Sequence, residues 1–225
     1  LIRDGAFTGT FRLAGGLALR FALADHAALA GLCAALPHLT PVAAGRRSSI
    51  GLGDRIGLAT PGHLAAVAGS GLFPVLAQQS IREMTRTRRT PDEVMDDAVF
   101  GVLQAGWTRG FGADADHLKT PGDVDRCAAA GFVLFTLDGT DVIGSRARRG
   151  RTPATRWSRA VDLFTGLARR VRARARVGFE LEVSMDELPF ETTPTDHRYV
   201  VTELLKRGVR IHQLAPRFPG AFEKG

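Results

Sequence analysis

The chain has 225 residues with 44% apolar content, which is enough to bury a sizeable core. No apolar run approaches the roughly 18 residues of a membrane span, so no transmembrane helix is predicted. Its two cysteines, Cys33 and Cys127, lie far apart in apolar surroundings and are predicted to be reduced, buried thiols. The expectation is a soluble, cytoplasmic protein.

Residues 1–47 differ in character from the rest of the chain. Two strands are predicted from Thr10 to Leu13 and from Leu17 to Leu23, followed by a helix from Asp25 to Leu36 and a linker from Pro37 to Arg47. This N-terminal extension has two open interpretations: the tail of a partial domain, or a lid on the domain that follows. The predicted catalytic domain covers residues 48–225.

A Thr-Pro pair recurs five times beyond this boundary. Each pair follows a short apolar run and precedes helical periodicity, and Thr suits the N-cap while Pro suits the first helical position. The first spacings are roughly 30 residues, the length of one βαβ crossover, so each pair marks a βα unit. The pairs are Thr60-Pro61, Thr90-Pro91, Thr120-Pro121, Thr152-Pro153 and Thr193-Pro194.

Strict alternation of strands and helices predicts an α/β fold. Two architectures fit, a doubly wound sheet or an incomplete TIM-type (β/α)8 barrel with about five to six βα units. The barrel is preferred, with both ends of the chain expected to be cut, because a complete barrel needs about 250 residues. Strands are predicted near Ser49–Gly53, Phe73–Gln78, Gly110–Asp114, Phe132–Leu137, Val177–Val183 and Val209–Leu214, and helices near Pro61–Gly69, Pro91–Gly106, Pro121–Ala130, Pro153–Arg174 and Pro194–Arg207.

Two polar segments follow the first two of these strands. The glycine-rich loop IGLGDRIG resembles a dinucleotide loop, but its helix begins too late to meet a pyrophosphate, so it is interpreted as a loop that positions Asp54 and Arg55. After the second strand, Gln79 and Ser80 offer hydrogen bonds suited to a polyhydroxylated ligand. The alternative for Gln79 and Ser80 is an ordinary surface loop.

The densest polar cluster lies in GFGADADHLKT, from Gly110 to Thr120, and its polar side chains are predicted to lie in the strand-to-helix loop. Asp116 and His117 point differently, so the carboxylate suits proton transfer while the imidazole suits a zinc-like ion. Lys119 could hold a substrate carboxylate or an oxyanion. The alternative is an Asx-turn that caps the next helix.

The fifth predicted strand places Glu180, Glu182 and Ser184 on one face. Acids on an inward face are costly unless they are used, so Glu182 is a candidate acid or ligand. The alternative is that these acids face arginines of an outer helix.

A second charged stretch, from Arg146 to Arg176, is either a nucleic-acid patch or a solvated helix face. The solvated helix face is preferred, because charge alone supports no site.

Six segments together resemble the tagaturonate epimerase family, which consists of metal-dependent isomerases of hexuronate catabolism. They are GLGDRIGLATPGH, FPVLAQQSIRE, RTPDEVMDDAVFGVLQAGW, GFGADADHLKT, FELEVSMDE and LAPRFPGAFEKG. They cover most of Ile50 to Gly225, whereas the segment from Gly139 to Val177 is shorter than the family pattern. The resemblance implies a TIM-like barrel and interconversion of D-tagaturonate and D-fructuronate, a branch of carbohydrate metabolism.

The resemblance also implies residue roles and a cofactor. Asp116 would be the proton acceptor, Glu182 the proton donor and His117 a ligand of a divalent cation such as zinc, manganese, nickel or cobalt. Gln79, Ser80, Lys119 and Ser184 are the predicted substrate contacts. Further metal histidines would lie beyond Gly225.

A retro-aldol/aldol mechanism is the hypothesis for this hexuronate chemistry, because the inverted carbon lies β to the ketone and its C–H is not acidified. Two alternatives stay open. One is a different metal-dependent barrel aldolase or sugar isomerase. The other, from a different class, is a non-catalytic module that binds nucleic acid through the basic stretch.

Overall fold

The computed structural model describes residues 9–12, 18–21, 25–143, 152–175 and 178–220. Within them lie a two-stranded antiparallel sheet and a six-stranded sheet whose strand order follows the chain, so the α/β class is confirmed. The elements in chain order are β1 (Gly9–Arg12), β2 (Ala18–Phe21), α1 (His26–Ala35), β3 (Ser49–Gly53), α2 (Thr60–Val67), β4 (Phe73–Ser80), α3 (Ile81–Thr87), α4 (Pro91–Gln104), β5 (Gly112–Leu118), α5 (Pro121–Ala129), β6 (Leu134–Asp138), α6 (Thr140–Ile143), α7 (Pro153–Arg174), β7 (Glu180–Ser184), α8 (Pro194–Lys206) and β8 (Gln213–Ala215).

The chain divides into two compact units, Leu1–Asp114 and Ala115–Gly225, and the division falls inside β5. In the first unit β3 and β4 pair in parallel, and β4 is almost entirely buried, as expected of a strand covered on both faces. Helices α2 and α4 pack closely because Gly101 has no side chain: a Cβ there would lie 2.5 Å from Thr60.

In the second unit β6, β7 and β8 pair in parallel, and Asp138 lies opposite Ser184 at the carboxyl ends of β6 and β7. Helix α7 packs against α5, α6 and α8 through a buried face that includes Trp157, Phe164 and Leu167. This packing builds the core on which the strand ends of the second unit rest.

Arginines of α7 form ion pairs with acids of neighbouring helices in the second unit. Arg170 bonds Asp125 on α5 through two nitrogens, at 2.6 and 2.5 Å, and Arg156 pairs with Asp196 on α8. These arginines therefore hold helices together. Residues 144–151 and 176–177, which belong to the same basic stretch, lie outside the described residues.

The capping signals of the sequence are confirmed at four of the five helices. Thr90, Thr120, Thr152 and Thr193 each accept the N3 backbone N–H in a complete capping box. The fifth prediction is wrong: α2 begins at Thr60 itself, with Ala59 as N-cap. The carboxylate of Asp54 accepts the Ala59 N–H instead, at 2.7 Å.

Other boundaries shift by a few residues. Helices α3 and α6 were not predicted, and β8 is shorter and begins later than expected. Cys33 and Cys127 are free thiols, as predicted, although only Cys127 is buried. Among the described residues, no helix combines the length and the apolar composition that a membrane span needs.

Candidate functional site

The Asp-His cluster lies in strand β5 rather than in a loop. β5 runs through Leu118, so the prediction that Asp116 and His117 follow the strand is wrong. Within the strand the backbone of His117 has a φ of 54°, in the left-handed region that few side chains adopt. Strain of this kind is held in place by surrounding structure and is common at functional sites.

The imidazole of His117 lies between two aspartates. Its Nδ1 is 3.3 Å from Oδ2 of Asp138, and its Nε2 is 3.6 Å from Oδ1 of Asp116. Burial disfavours the charged imidazolium, but the hydrogen bond with Asp138 and the charge of Asp116 outweigh it and raise the pKa of His117 to about 9. The two aspartates therefore favour a positive charge on or beside the imidazole of His117.

Asp138 ends β6, and its side chain is completely buried (0% exposed). Its Oδ1 accepts the backbone N–H of Thr140 at 2.7 Å and the Thr140 hydroxyl at 2.5 Å. Burial opposes ionisation, yet the hydrogen bonds from His117 and Thr140 hold the pKa of Asp138 well below its usual range. Gly139, between Asp138 and Thr140, leaves room for the ring of Phe164, because a Cβ at Gly139 would lie 2.7 Å from that ring.

Glu182 lies in β7, opposite Thr136 of β6. Burial raises the pKa of its carboxyl to about 7, and the negative charges of Asp116 and Asp186 add to the effect, while His117 opposes it. A carboxylic acid with such a pKa can hold a proton near neutral pH and release it, which is the requirement for a general acid.

Three side chains of the second unit could hold a metal ion together. His117, Asp138 and Glu187 each offer one ligand atom, and these atoms lie within 4.8 Å of one another. One imidazole nitrogen and two carboxylate oxygens form a donor set that suits zinc and similar divalent cations. The predicted ligand His117 thus belongs to a cluster whose chemistry fits the predicted cofactor.

Two predicted substrate contacts in the second unit are already bonded within the protein. Lys119 Nζ lies 2.9 Å from Asp141 and 3.5 Å from Asp138, and although burial disfavours its charge, these carboxylates raise its pKa. Ser184 is buried, and its hydroxyl donates to Oδ1 of Asp186 at 2.5 Å. Either residue would exchange or share these bonds on binding a ligand.

The other two predicted contacts, Gln79 and Ser80, lie in the first unit. Gln79 is fully buried: its Nε2 donates to Thr87 at 3.0 Å and its Oε1 accepts from Arg89 at 2.8 Å. Ser80 is the N-cap of α3 and forms a capping box with Glu83. Both are buried, so the alternative interpretation as a surface loop is wrong.

The glycine-rich loop of the first unit is organised by Asp54. This carboxylate accepts the backbone N–H groups of Ile56, Gly57 and Ala59 at 2.7–3.1 Å. Arg55 pairs with Glu83 at 2.9 Å. These bonds agree with a loop that positions Asp54 and Arg55.

A family model of tagaturonate epimerases (UxaE) matches residues 17–156 and 150–225 of the chain. The chain belongs to the tagaturonate epimerase family. The resemblance carried by the six sequence segments is thereby confirmed.

Named members of the family are similar over nearly the whole chain. A tagaturonate/fructuronate epimerase of Thermotoga maritima is 38% identical over 93% of this chain and 52% of its own length. The native crystal structure of the fructuronate-tagaturonate epimerase from Cohnella laeviribosi has a TM-score of 0.86 at 30% identity, covering 95% of this chain and 52% of that one. Its two-glycerol complex gives 0.85 at 30% identity, covering 91% and 51%. The chain spans about half the length of these relatives.

Sequence reasoning missed two members of the candidate metal cluster, Asp138 and Glu187. Asp138 is the last residue of an apolar strand and precedes Gly139, a position where parallel sheets often place functional groups. Glu187 lies in the family segment FELEVSMDE but outside the alternating part of the strand. The strand-end position of Asp138 could have identified it from the sequence. The position of Glu187 depends on how the chain turns after β7.

Proposed function

We propose that the protein is a metal-dependent isomerase of hexuronate catabolism that interconverts D-tagaturonate and D-fructuronate. The observation that carries the proposal is the cluster of His117, Asp138 and Glu187 with Glu182 and Asp116 nearby, in a chain of the tagaturonate epimerase family. Relatives named for this epimerisation support the substrate class.

Within this proposal each side chain has a chemical task. Asp116 accepts the proton of the substrate hydroxyl at the carbon to be inverted. Glu182 returns a proton, which its pKa of about 7 allows near neutral pH. Lys119 and Ser184 contact the substrate, Lys119 through its ammonium group, and Gln79 and Ser80 stay predicted contacts.

The bond changes follow a retro-aldol and aldol sequence. When Asp116 takes the hydroxyl proton, the bond between the α- and β-carbons breaks, the oxygen becomes an aldehyde and the bonding electrons remain on the ketone half. The aldehyde then turns its other face and the carbon–carbon bond re-forms. Glu182 protonates the new alkoxide, so the product differs from the substrate at one centre only.

His117, with carboxylate oxygen from its cluster, would hold a divalent cation of the zinc, manganese, nickel or cobalt type. When bound, such an ion supplies Lewis-acid stabilisation of negative charge on substrate oxygens. The elevated pKa of His117 shows that its surroundings favour positive charge, which is consistent with an ion at this place.

The architecture that we propose is a TIM-type barrel that this chain forms only in part. The strand order along the chain and the parallel pairs support it. We place the boundary of the N-terminal extension near residue 47. A cytoplasmic location fits a hexuronate-metabolising enzyme with two free cysteines.

The test is an epimerase assay with D-tagaturonate, with and without added Zn²⁺, Mn²⁺, Ni²⁺ or Co²⁺. The expected result is metal-dependent formation of fructuronate that is abolished in His117→Asn and retained in His197→Asn, which alters an exposed histidine of α8. Activity that survives complete chelation would contradict metal dependence. Incorporation of solvent deuterium at the inverted carbon would contradict the retro-aldol sequence.

A further inference from the structure

We propose that Asp138 is the positioning partner of His117: its Oδ2 accepts the Nδ1–H of the imidazole, so that Nε2 is the atom that binds the ion. This inference rests on the metal-dependent function proposed above and narrows it. It removes Asp138 from the set of metal ligands and makes its carboxylate the group that orients the ligand histidine.

The distance between His117 and Asp138 does not by itself distinguish the two roles. A separation of 3.3 Å between Nδ1 and Oδ2 fits a long hydrogen bond, and it also fits two atoms that share one ion. The surroundings of the carboxylate decide between them.

Oδ2 of Asp138 already faces a cation. Lys119 Nζ lies 3.5 Å from this oxygen, and the ammonium is kept charged by Asp141 at 2.9 Å. A divalent ion bound to the same oxygen would lie within a few ångströms of the ammonium, and the repulsion would be strong in a buried setting. A neutral N–H donor from His117 meets no such repulsion.

The other carboxylate oxygen is fixed as well. Oδ1 of Asp138 accepts two hydrogen bonds from Thr140, and the intervening Gly139 lies so close to Phe164 that a Cβ there would be 2.7 Å from the ring. The carboxylate cannot rotate toward an ion without breaking both bonds. It is therefore a preorganised acceptor rather than an adaptable ligand.

The orientation of the ring agrees with this assignment. With Nδ1 directed at Asp138, Nε2 is the ring atom next to Asp116, at 3.6 Å from its Oδ1. Metal-binding histidines usually donate their other N–H to a carboxylate or carbonyl, which fixes the tautomer. The arrangement of Thr140, Asp138 and His117 has this form.

The experiment measures Co²⁺ binding to the purified protein by optical titration and counts the ligands by X-ray absorption. Asp138→Asn is expected to weaken Co²⁺ binding about 10- to 100-fold, the usual effect of losing an outer partner, with the number of protein ligands unchanged. Glu187→Gln serves as the comparison that removes a proposed ligand. Asp162→Asn, which breaks an exposed ion pair between α7 and Arg207, the C-cap of α8, should leave Co²⁺ affinity unaltered.

Loss of one oxygen ligand in Asp138→Asn would overturn the inference, and so would an unchanged affinity. If neither the wild-type protein nor the Asp162→Asn control binds Co²⁺, the metal-dependent function itself is overturned. That result differs from one in which only Asp138→Asn loses affinity.

A second variant covers the case in which Asp138→Asn does not fold, as judged by circular dichroism. Thr140→Val keeps the carboxylate and the backbone N–H but removes the hydroxyl bond that fixes Oδ1. It is expected to weaken Co²⁺ binding several-fold, with the ligand count unchanged. Wild-type affinity in a folded Thr140→Val protein would contradict the inference.

Discussion

The polar groups at the strand ends of the two units differ in how completely the protein satisfies them. In the first unit Gln79 is bonded to Thr87 and Arg89, and Asp54 accepts three backbone N–H groups. In the second unit Glu182 has its pKa raised by burial and by negative neighbours, so its environment opposes its charge. Gln79 and Asp54 are thus held by bonds within the fold, whereas the raised pKa of Glu182 is the property that a proton-transfer residue requires.

The largest effect is expected from Glu182→Gln, which keeps the shape of the side chain but cannot transfer a proton. Activity should fall about 10²- to 10⁴-fold, the usual contribution of a general acid or base, while the free energy of unfolding is not reduced. Steady-state kinetics and urea unfolding measure the two quantities. Glu203→Gln, which alters an ion pair with Lys206 on α8, is the control. A loss of stability without loss of activity would place Glu182 with the structural residues of the first unit.

Asp54→Asn addresses the opposite case, an acid that the fold needs in its charged form. Burial raises its pKa, but the N–H groups of Ala59, Ile56 and Gly57 outweigh this and lower it. The stabilisation is therefore fully present above the unfolded pKa of about 3.9 and is lost as the pH falls through the lower folded value. At pH 7 the variant should lose about 2 kcal/mol of unfolding free energy.

Urea unfolding between pH 2 and pH 7 checks this prediction. The difference between wild type and Asp54→Asn should shrink as the pH falls below about 4. A difference that is constant with pH would mean that the charge of Asp54 contributes nothing.

Gln79→Met sharpens the comparison within the first unit, because Gln79 is also a predicted substrate contact. The change leaves Arg89 and Thr87 without their amide partner, so we expect a loss of about 1–2 kcal/mol in unfolding free energy, together with the raised KM of a lost substrate contact. The matched variant is Gln78→Met, on the neighbouring, half-buried residue. Reduced stability with an unchanged KM would instead place Gln79 with the structural residues alone.

The smallest effect is expected where an ion pair is partly exposed. Arg170→Gln removes the two-nitrogen bond to Asp125, and both side chains are more than one-third exposed. The loss of unfolding free energy should be small and should shrink in high salt, as thermal unfolding at two salt concentrations can show. A larger loss would mean that ion pairs between helices contribute more to the unfolding free energy of the second unit than is expected of exposed pairs.

Local signals predicted the βα units well, because helix starts are encoded by adjacent residues. Thr90, Thr120 and Thr193 are N-caps as predicted, and each forms a capping box with the acid two residues after the Pro. The end of β5 was misplaced, because GADADHL carries polar residues that resemble a loop, while pairing with neighbouring strands extends the strand through them. Strand pairing is a tertiary effect that no local pattern contains.

The candidate site was predictable only in part for a related reason. His117 and Glu182 carry a signal in their own segments, whereas Asp138 gains its place through β6, Thr140 and the packing of Gly139 on α7. The bonded state of Gln79 likewise depends on Arg89, ten positions along the chain. Sequence identifies candidate polar residues, but the fold decides which of them are already satisfied.

The left-handed backbone of His117 limits which amino acids a laboratory library can place there. Besides glycine, the residues that adopt this conformation most readily are Asn, Asp and His, and β-branched residues are strongly disfavoured. Among common replacements, Asn therefore removes the imidazole with the least added backbone strain, while Val would combine the loss of a ligand with a distorted strand. A library screened for altered metal preference at this position therefore has few amino acids that the backbone tolerates.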